Sequence, residues 1–238
     1  MESALDTVVR KTPRFTLVAK RGDTWASVEG IRLGEDDAAA AIDEVRAFLE
    51  ESETRIASWW LTERTTPDDA EERLLAAGLD RFDDDYLIDG MLATSAPAPG
   101  PPEVEARAVA NVEEHVEARR LQYDGFGTDA DRRRSDEALA AEYGQTKNVL
   151  YAAWVDGRMA GAAAAAFASC GALLIGGTTL PWARGRGAYR ALVRARWDDA
   201  VARGTPVLAA GAGALSAPIL ARLGFEKVLQ FRRLESRL

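Results

Sequence analysis

The chain of 238 residues has one cysteine, Cys170, and one histidine, His115. A single cysteine excludes an intrachain disulfide, and the pair is too small for a zinc site of the usual Cys/His kind, so no metal is expected. A Ser-His-Asp or Cys-His nucleophile would have to run through His115 alone, which argues against both. Lysine is scarce as well: Lys11, Lys20, Lys147 and Lys227 are the only four, and the other basic residues are arginine. Acidic residues outnumber basic ones 38 to 30, for a net charge of −8. Such a surface repels phosphate backbones and anionic lipid, so neither a nucleic-acid nor a membrane partner is expected. With 47% apolar and 29% charged residues, the remainder is the ordinary mixture of a globular chain that buries a core.

Met1 to Phe15 mixes charges and lacks the apolar run of a targeting signal, so a cytoplasmic location is expected. Met159 to Gly177 carries no charged residue over 19 positions, about the length of a membrane-spanning helix. It is mostly alanine and glycine, however, with Ser169-Cys170-Gly171 as a turn in its middle and the hairpin signal Asp156-Gly157 just before it. Two successive buried strands account for it better.

Four of the nine prolines fall between Thr94 and Pro102, and this stretch reads as a semi-rigid linker, about residues 94–101, between units at 1–93 and 102–238. Upstream, strands are expected at Thr24–Ile31, Ile56–Leu61 and Tyr86–Leu92. A helix over Asp36–Glu50 would bury Ala38, Ala41, Ile42, Val45, Phe48 and Leu49, and a second helix would be capped by Thr66 with Pro67 at its first position. Downstream, the expected order is a strand at Glu103–Val109, a helix opened by an Asn111/Glu114 capping box, a helix at Arg132–Tyr143, and strands at Asn148–Val155, Met159–Ala168 and Ala172–Leu180. A helix at Ala188–Arg203, a strand at Pro206–Ala210, a helix capped by Ser216 and a strand at Phe225–Leu234 follow. The pattern is mixed α/β. Ala76-Ala77-Gly78-Leu79 echoes Arg222-Leu223-Gly224-Phe225, so the upstream unit reads as a truncated copy of the downstream one.

The segment Gly176-Gly177-Thr178-Thr179-Leu180-Pro181-Trp182-Ala183-Arg184-Gly185-Arg186-Gly187-Ala188-Tyr189 runs strand, arginine- and glycine-rich turn, helix. Such a turn points backbone N–H groups at one spot, backed by the positive end of a helix, and suits a pyrophosphate; the plain alternative is a strand-to-helix connection with solvated arginines. A P-loop needs Gly-Lys-Ser/Thr, which is missing. Gly211-Ala212-Gly213-Ala214-Leu215-Ser216 lies too near the end of the sequence for a dinucleotide fold. Gly176-Gly177 inside a strand signals a bulge or a close backbone approach.

Pro181-x-x-Arg184-Gly185-Arg186-Gly187-Ala188 resembles the acetyl-CoA-binding motif of the GNAT N-acetyltransferases, and Ser216 to Phe225 is similar to that family's later helix with its Arg-Leu-Gly-Phe ending. The resemblance covers 102–238, with the upstream unit like the degenerate half of a tandem GNAT protein. It implies a mostly antiparallel sheet flanked by helices. It also implies acetyl-CoA as co-substrate held by Thr179, Leu180, Arg184, Gly185, Arg186, Gly187, Ala188, Tyr189 and Ser216, with a Thr179 or Leu180 N–H at the thioester oxygen. Three positions depart from the family pattern. Tyr189 stands at the last small residue of the turn, so its side chain must point away from the pyrophosphate. Gly213 stands where many members have asparagine, and Leu220 where many have a tyrosine general acid. No acid lies on Ala172–Leu180, so the base is open among Tyr123, Asp124, Glu142 and Tyr151, and no catalytic residue is assigned.

The expected activity is acetyl transfer from acetyl-CoA to a small, cationic primary amine by direct attack; the alternative is a non-catalytic CoA-binding or regulatory module. Asp124, Asp129 and Asp131 lie on segments that rim the acceptor cleft in proteins the chain resembles. In the upstream unit Gly34-Glu35-Asp36-Asp37 replaces the arginine-rich turn and would repel pyrophosphate. His115 reads as a surface residue, Cys170 as a hairpin-turn residue, Asp83-Asp84-Asp85 as a solvated turn, Arg132-Arg133-Arg134 as a helix face and Trp59-Trp60 as packing. A homodimer is left open.

Overall fold

A computed structural model describes residues 7–20, 25–82, 86–130 and 133–238. The readings placed on Asp83-Asp84-Asp85, Asp131 and Arg132 lie outside the described residues. Among the described residues there are twelve strands and six α-helices, in a mixed α/β arrangement with mostly antiparallel pairing, and the chain forms two compact units. One consists of residues 1–90, 212–217 and 228–238; the other of 91–211 and 218–227.

In the first unit, β1 (Thr7–Lys11), β2 (Thr16–Lys20) and β3 (Trp25–Glu29) form an antiparallel meander. The sequence pattern places nothing on β1 and β2, because their apolar residues, Val8-Val9 and Leu17-Val18-Ala19, form runs of two and three, too short to show a period. Helix α1 (Asp37–Glu51) then crosses to β4 (Ile56–Leu61), which lies parallel to β3. All six residues of the expected α1 stripe, Ala38 to Leu49, are buried, against Phe15, Leu17, Val28 and Trp59. Helix α2 (Ala70–Ala76) begins three residues later than expected. Thr66 does not cap it: its N–H donates to Ile31 O and its carbonyl accepts from Leu33 N–H, so its backbone is committed to a bridge beside β3. The two-residue β5 (Asp80–Arg81) and β6 (Leu87–Ala93) follow. The last strand of the chain, β12 (Glu226–Arg237), returns to this unit and pairs antiparallel with β4 from Arg232↔Leu61 to Arg237↔Ile56. There Trp59 Nε1 donates to Ser236 Oγ at 3.1 Å inside the core.

In the second unit, β7 (Val104–Ala108), β8 (Val149–Val155), β9 (Arg158–Ala168) and β10 (Gly171–Thr179) form an antiparallel meander, with the tight Asp156-Gly157 turn joining β8 to β9. β11 (Leu208–Ala212) lies parallel to β10. Helix α3 (Val112–Phe126) is opened by Asn111 Oδ1, which accepts the Glu114 N–H at 2.8 Å; the Glu114 carboxylate reaches back one residue beyond the expected box and accepts from Ala110 N–H rather than from Asn111 N–H. Helix α4 (Asp136–Glu142) is shorter than expected and is capped by Ser135. Helix α5 (Ala188–Ala202) covers one face of the sheet and α3 the other.

This two-sided cover explains the uncharged run. Ala163 and Ala165 of β9 pack toward α5, while Ala162 and Ala164 pack toward α3. A strand buried on both faces has no place for charge, and alanine lets both helix layers approach. No helix of the described residues is long and apolar enough to cross a membrane. The proline-rich stretch lies against α5, with Pro97 buried, Arg194 Nη1 donating to Pro97 O at 3.3 Å, and Pro101 packed on Gly187. On α5, Val201 is half exposed, whereas the charged Arg196 is buried.

Candidate functional site

The arginine-rich turn leaves β10 through a single 3-10 turn, Pro181–Ala183, and enters α5 through two left-handed glycines, Gly185 at φ +78° and Gly187 at φ +86°. A side chain at Gly187 would also strike Pro101, its Cβ lying 2.4 Å from Pro101 Cδ, so this corner admits only glycine. The first α5 residue to donate a helical hydrogen bond is Ala191, to Gly187 O at 3.0 Å. The N–H groups of Ala188, Tyr189 and Arg190 therefore have no helical acceptor and sit at the positive end of the helix. Arg184 is exposed, whereas Arg186 is tied to Asp156 of the β8–β9 turn at 2.8 Å, so Arg184 is the arginine of this turn without a carboxylate partner. Tyr189 points back into the protein: a Cβ on Gly177 would lie 2.9 Å from its Cε2, and burial raises the pKa of its phenol.

Immediately upstream, β10 and β11 part. They pair only from Ala172↔Leu208 to Leu174↔Ala210, and beyond Leu174 the β11 side of β10 has no strand partner in this ladder. On the other side, Ile175 faces Ala164 and Thr178 faces Ala162, so Gly176 and Gly177 together oppose Ala163 as a bulge. Leu180 N–H donates to Ala160 O at 2.9 Å. Antiparallel pairs alternate between bonded and non-bonded, so the preceding Thr179↔Gly161 pair is non-bonded and the Thr179 N–H turns toward the gap. Of the two amides, Leu180 is committed to β9, and Thr179 is the one directed to the side where β10 has no strand partner. Ser216 belongs to the first compact unit, and its hydroxyl donates back to Gly213 O at 3.4 Å.

The candidate proton-transfer residues are mostly occupied. Tyr151 is buried, and its hydroxyl donates to Asp199 Oδ2 at 2.5 Å; burial first, and then this bond, push its pKa upward, out of the range of a base at neutral pH. Asp124 pairs with Arg133 at 2.7 Å, and Glu142 with Arg134 at 3.1 Å and Arg119 at 3.8 Å. The guanidinium groups of Arg119 and Arg133 flank the Tyr123 ring, each 5.9 Å from its centroid. Asp129 is exposed, and Leu220 of α6 (Ala217–Arg222) is buried and offers no acid. Cys170 is exposed at its turn. Among the described residues no group of three His, Cys, Asp or Glu side chains is placed to hold a metal ion.

His115 is not a surface residue. It is 3% exposed on the inner side of α3, edge-on to Tyr143 at 5.6 Å, with Nε2 unpartnered. Burial lowers its pKa, so below about pH 6.5 the unfolded chain takes up a proton that the folded chain does not. Folding stability should accordingly fall as pH drops through this region, by up to about 1.4 kcal/mol per pH unit, and this part of the slope should vanish in His115→Phe. Urea unfolding of both proteins at pH 5.5 and 7.5 checks it; parallel pH dependences would exclude His115 as the source.

Two side chains that the sequence did not single out complete the site. Gln122 Nε2 donates to the bulge carbonyl Gly176 O at 2.8 Å, and Arg196 Nη1 donates to Ala164 O at 3.2 Å. Neither sits in a motif, and helical periodicity treats both as ordinary polar positions.

The architecture is that of the GNAT acetyltransferases. The solved structure of a GCN5-related N-acetyltransferase from Kribbella flavida superposes with a TM-score of 0.72 at 18% identity, covering 97% of this chain and 90% of that one. A tandem GNAT protein from the clavulanic acid biosynthesis pathway superposes with a TM-score of 0.63 at 15% identity, over 98% of this chain and 83% of the other. A GCN5-related N-acetyltransferase from Sphaerobacter thermophilus follows with a TM-score of 0.62 at 15% identity, over 94% and 80%. No family model matches the chain, and no curated protein matches it in sequence.

Proposed function

We propose that the chain is an acetyl-CoA-dependent N-acetyltransferase acting on the primary amine of a small, cationic acceptor by direct attack. The observation that carries this is the succession of two features along one segment. A strand splayed at a bulge turns the Thr179 amide to an open gap, and nine residues on, a helix begins with free amides beside Arg184. The first suits the amide-rich pantetheine arm, which can add to an open strand as a peptide does, and the second suits a pyrophosphate. In the reaction the neutral amine adds to the thioester carbon, the Thr179 N–H stabilises the oxyanion, and the C–S bond breaks as the carbonyl reforms. The ammonium proton passes to water, and the departing thiolate takes one from water, because the nearby acids Asp124 and Glu142 are already in ion pairs.

The first unit supports a duplicated origin for the protein, since it has its own parallel strand pair, β3 and β4, bridged like β10 and β11 by a 15-residue helix. Its equivalent turn is closed to anions: Gly34 N–H already donates to the Asp37 carboxylate at 2.8 Å. A non-catalytic CoA-binding module is the second reading, favoured by buried Leu220 and by the paired acids.

Calorimetry should give one CoA per chain; two would overturn the assignment of the first unit, and none would overturn the transferase. Thiol release from acetyl-CoA should be faster with cationic than with matched neutral amines, and the advantage should shrink with salt. CoA binding without turnover of any amine would establish the module instead.

A further inference from the structure

We infer that Gln122 is a positioning residue, whose hydrogen bond to the Gly176 carbonyl holds the β10 bulge that turns the Thr179 amide to the gap. The register shows what the bulge does. Without it, the ladder that pairs Ile175 with Ala164 would continue one residue out of step, and Thr179 would face Ala160 in the place now held by Leu180. Its N–H would then bond to β9, as Leu180 does now, because a one-residue slip exchanges the two sides of a strand. The bulge is thus what separates an open amide from a used one.

Bulges left to themselves are not rigid, since the extra residue has no ladder partner. Here the α3 layer supplies one. Gln122 is 5% exposed; its Nε2 donates to Gly176 O at 2.8 Å, and its Oε1 accepts from Arg119 Nη1 at 2.9 Å. Both ends of the amide are committed, so its orientation is set: a flipped amide would place oxygen against the Gly176 carbonyl and NH₂ against the guanidinium. From the α5 layer, Arg196 donates to the carbonyl of Ala164, the β9 residue opposite the last residue paired before the bulge. The bulge is therefore gripped from both covering layers, and Gln122 is the side chain that hydrogen-bonds the bulge backbone itself.

The kinetic arm of the test rests on the transferase proposal; the exchange arm does not. In Gln122→Leu, amide hydrogen exchange at Thr178 and Leu180, the amides that the ladder turns to β9 just beyond the bulge, should speed up by about tenfold or more while β8 amides such as Ala152 keep their protection. With acetyl-CoA and an accepted amine, kcat should fall about 10- to 100-fold, with the KM for acetyl-CoA changed less than about threefold. Gln122→Glu keeps an acceptor for Arg119 but can donate to Gly176 O only when protonated. Its kcat relative to wild type should therefore rise as pH is lowered from 8 to 5, which a merely structural loss would not do. Unchanged exchange and unchanged kcat in Gln122→Leu would overturn the inference, as would a pH-independent ratio for Gln122→Glu together with unchanged exchange. If the wild-type protein turns over no amine, the transferase proposal fails, and the exchange result alone decides the role of Gln122.

Discussion

Gly185→Asp should bind CoA about 10- to 100-fold more weakly than Gly185→Asn, a difference of about 1.4 to 2.7 kcal/mol. The pair is chosen because the two side chains have nearly the same shape and differ by one charge. Gly185 has φ +78° with open space where a Cβ would stand, so the Cβ of either residue meets no neighbour. Asn and Asp are also the side chains that best tolerate this left-handed backbone, so the conformational cost cancels in the comparison. What remains is a negative charge beside the free amides that open α5 and beside Arg184, where a pyrophosphate would sit. At about 5–7 Å and an effective dielectric near 20 to 40, charge repulsion of this size is expected. The neighbouring Gly187 is a poorer probe, because any side chain there collides with Pro101 and would weaken binding by disturbing the turn. Titration calorimetry of both variants decides the matter; equal affinities would remove the pyrophosphate from this turn.

Arg196→Met should be more stable than wild type, by about 1–3 kcal/mol, or roughly 2 to 12 °C in Tm. Arg196 is 1% exposed, and its Nη2 has no partner. Its bonds go to two backbone carbonyls, Leu192 O at 2.9 Å and Ala164 O at 3.2 Å, and Asp199, the carboxylate one turn along α5, is taken by Tyr151. Burial lowers its pKa to about 10 from the ordinary arginine value, partly offset by Tyr189 and Tyr151. A cation held below its unfolded pKa costs stability at neutral pH, on the order of 3 kcal/mol here, because the unfolded chain keeps the proton more readily. The cost fades only above about pH 10, where the folded state sheds the proton first. Methionine fills a similar volume without the charge. Guanidinium unfolding at pH 7 measures the difference. A variant less stable than wild type by more than about 1 kcal/mol would mean that the carbonyl bonds outweigh the desolvation of the charge.

What local sequence could specify, it did. The six buried positions of α1 recur at the helical period, and the Asn111 cap, the Asp156-Gly157 hairpin and the Gly176-Gly177 bulge each depend on residues a few positions apart. The order of elements from β7 onward and the arginine-rich turn before α5 were legible for the same reason, since a strand, a turn and a helix start are all written in contiguous residues. Partners across long distances were not. That β12 pairs with β4 depends on residues more than 170 positions apart, and Thr66 lost its capping role to a bridge with residues 31–33. Burial of polar groups was equally hidden: His115, Gln122 and Arg196 look like surface residues on their helices, and only the sheet packed against α3 and α5 encloses them. The choice of Thr179 over Leu180 as the open amide belongs to the same class. Periodicity reports which side of a strand a side chain takes, but which amide is left over is set by pairing, and pairing exists only between strands that tertiary structure has brought together.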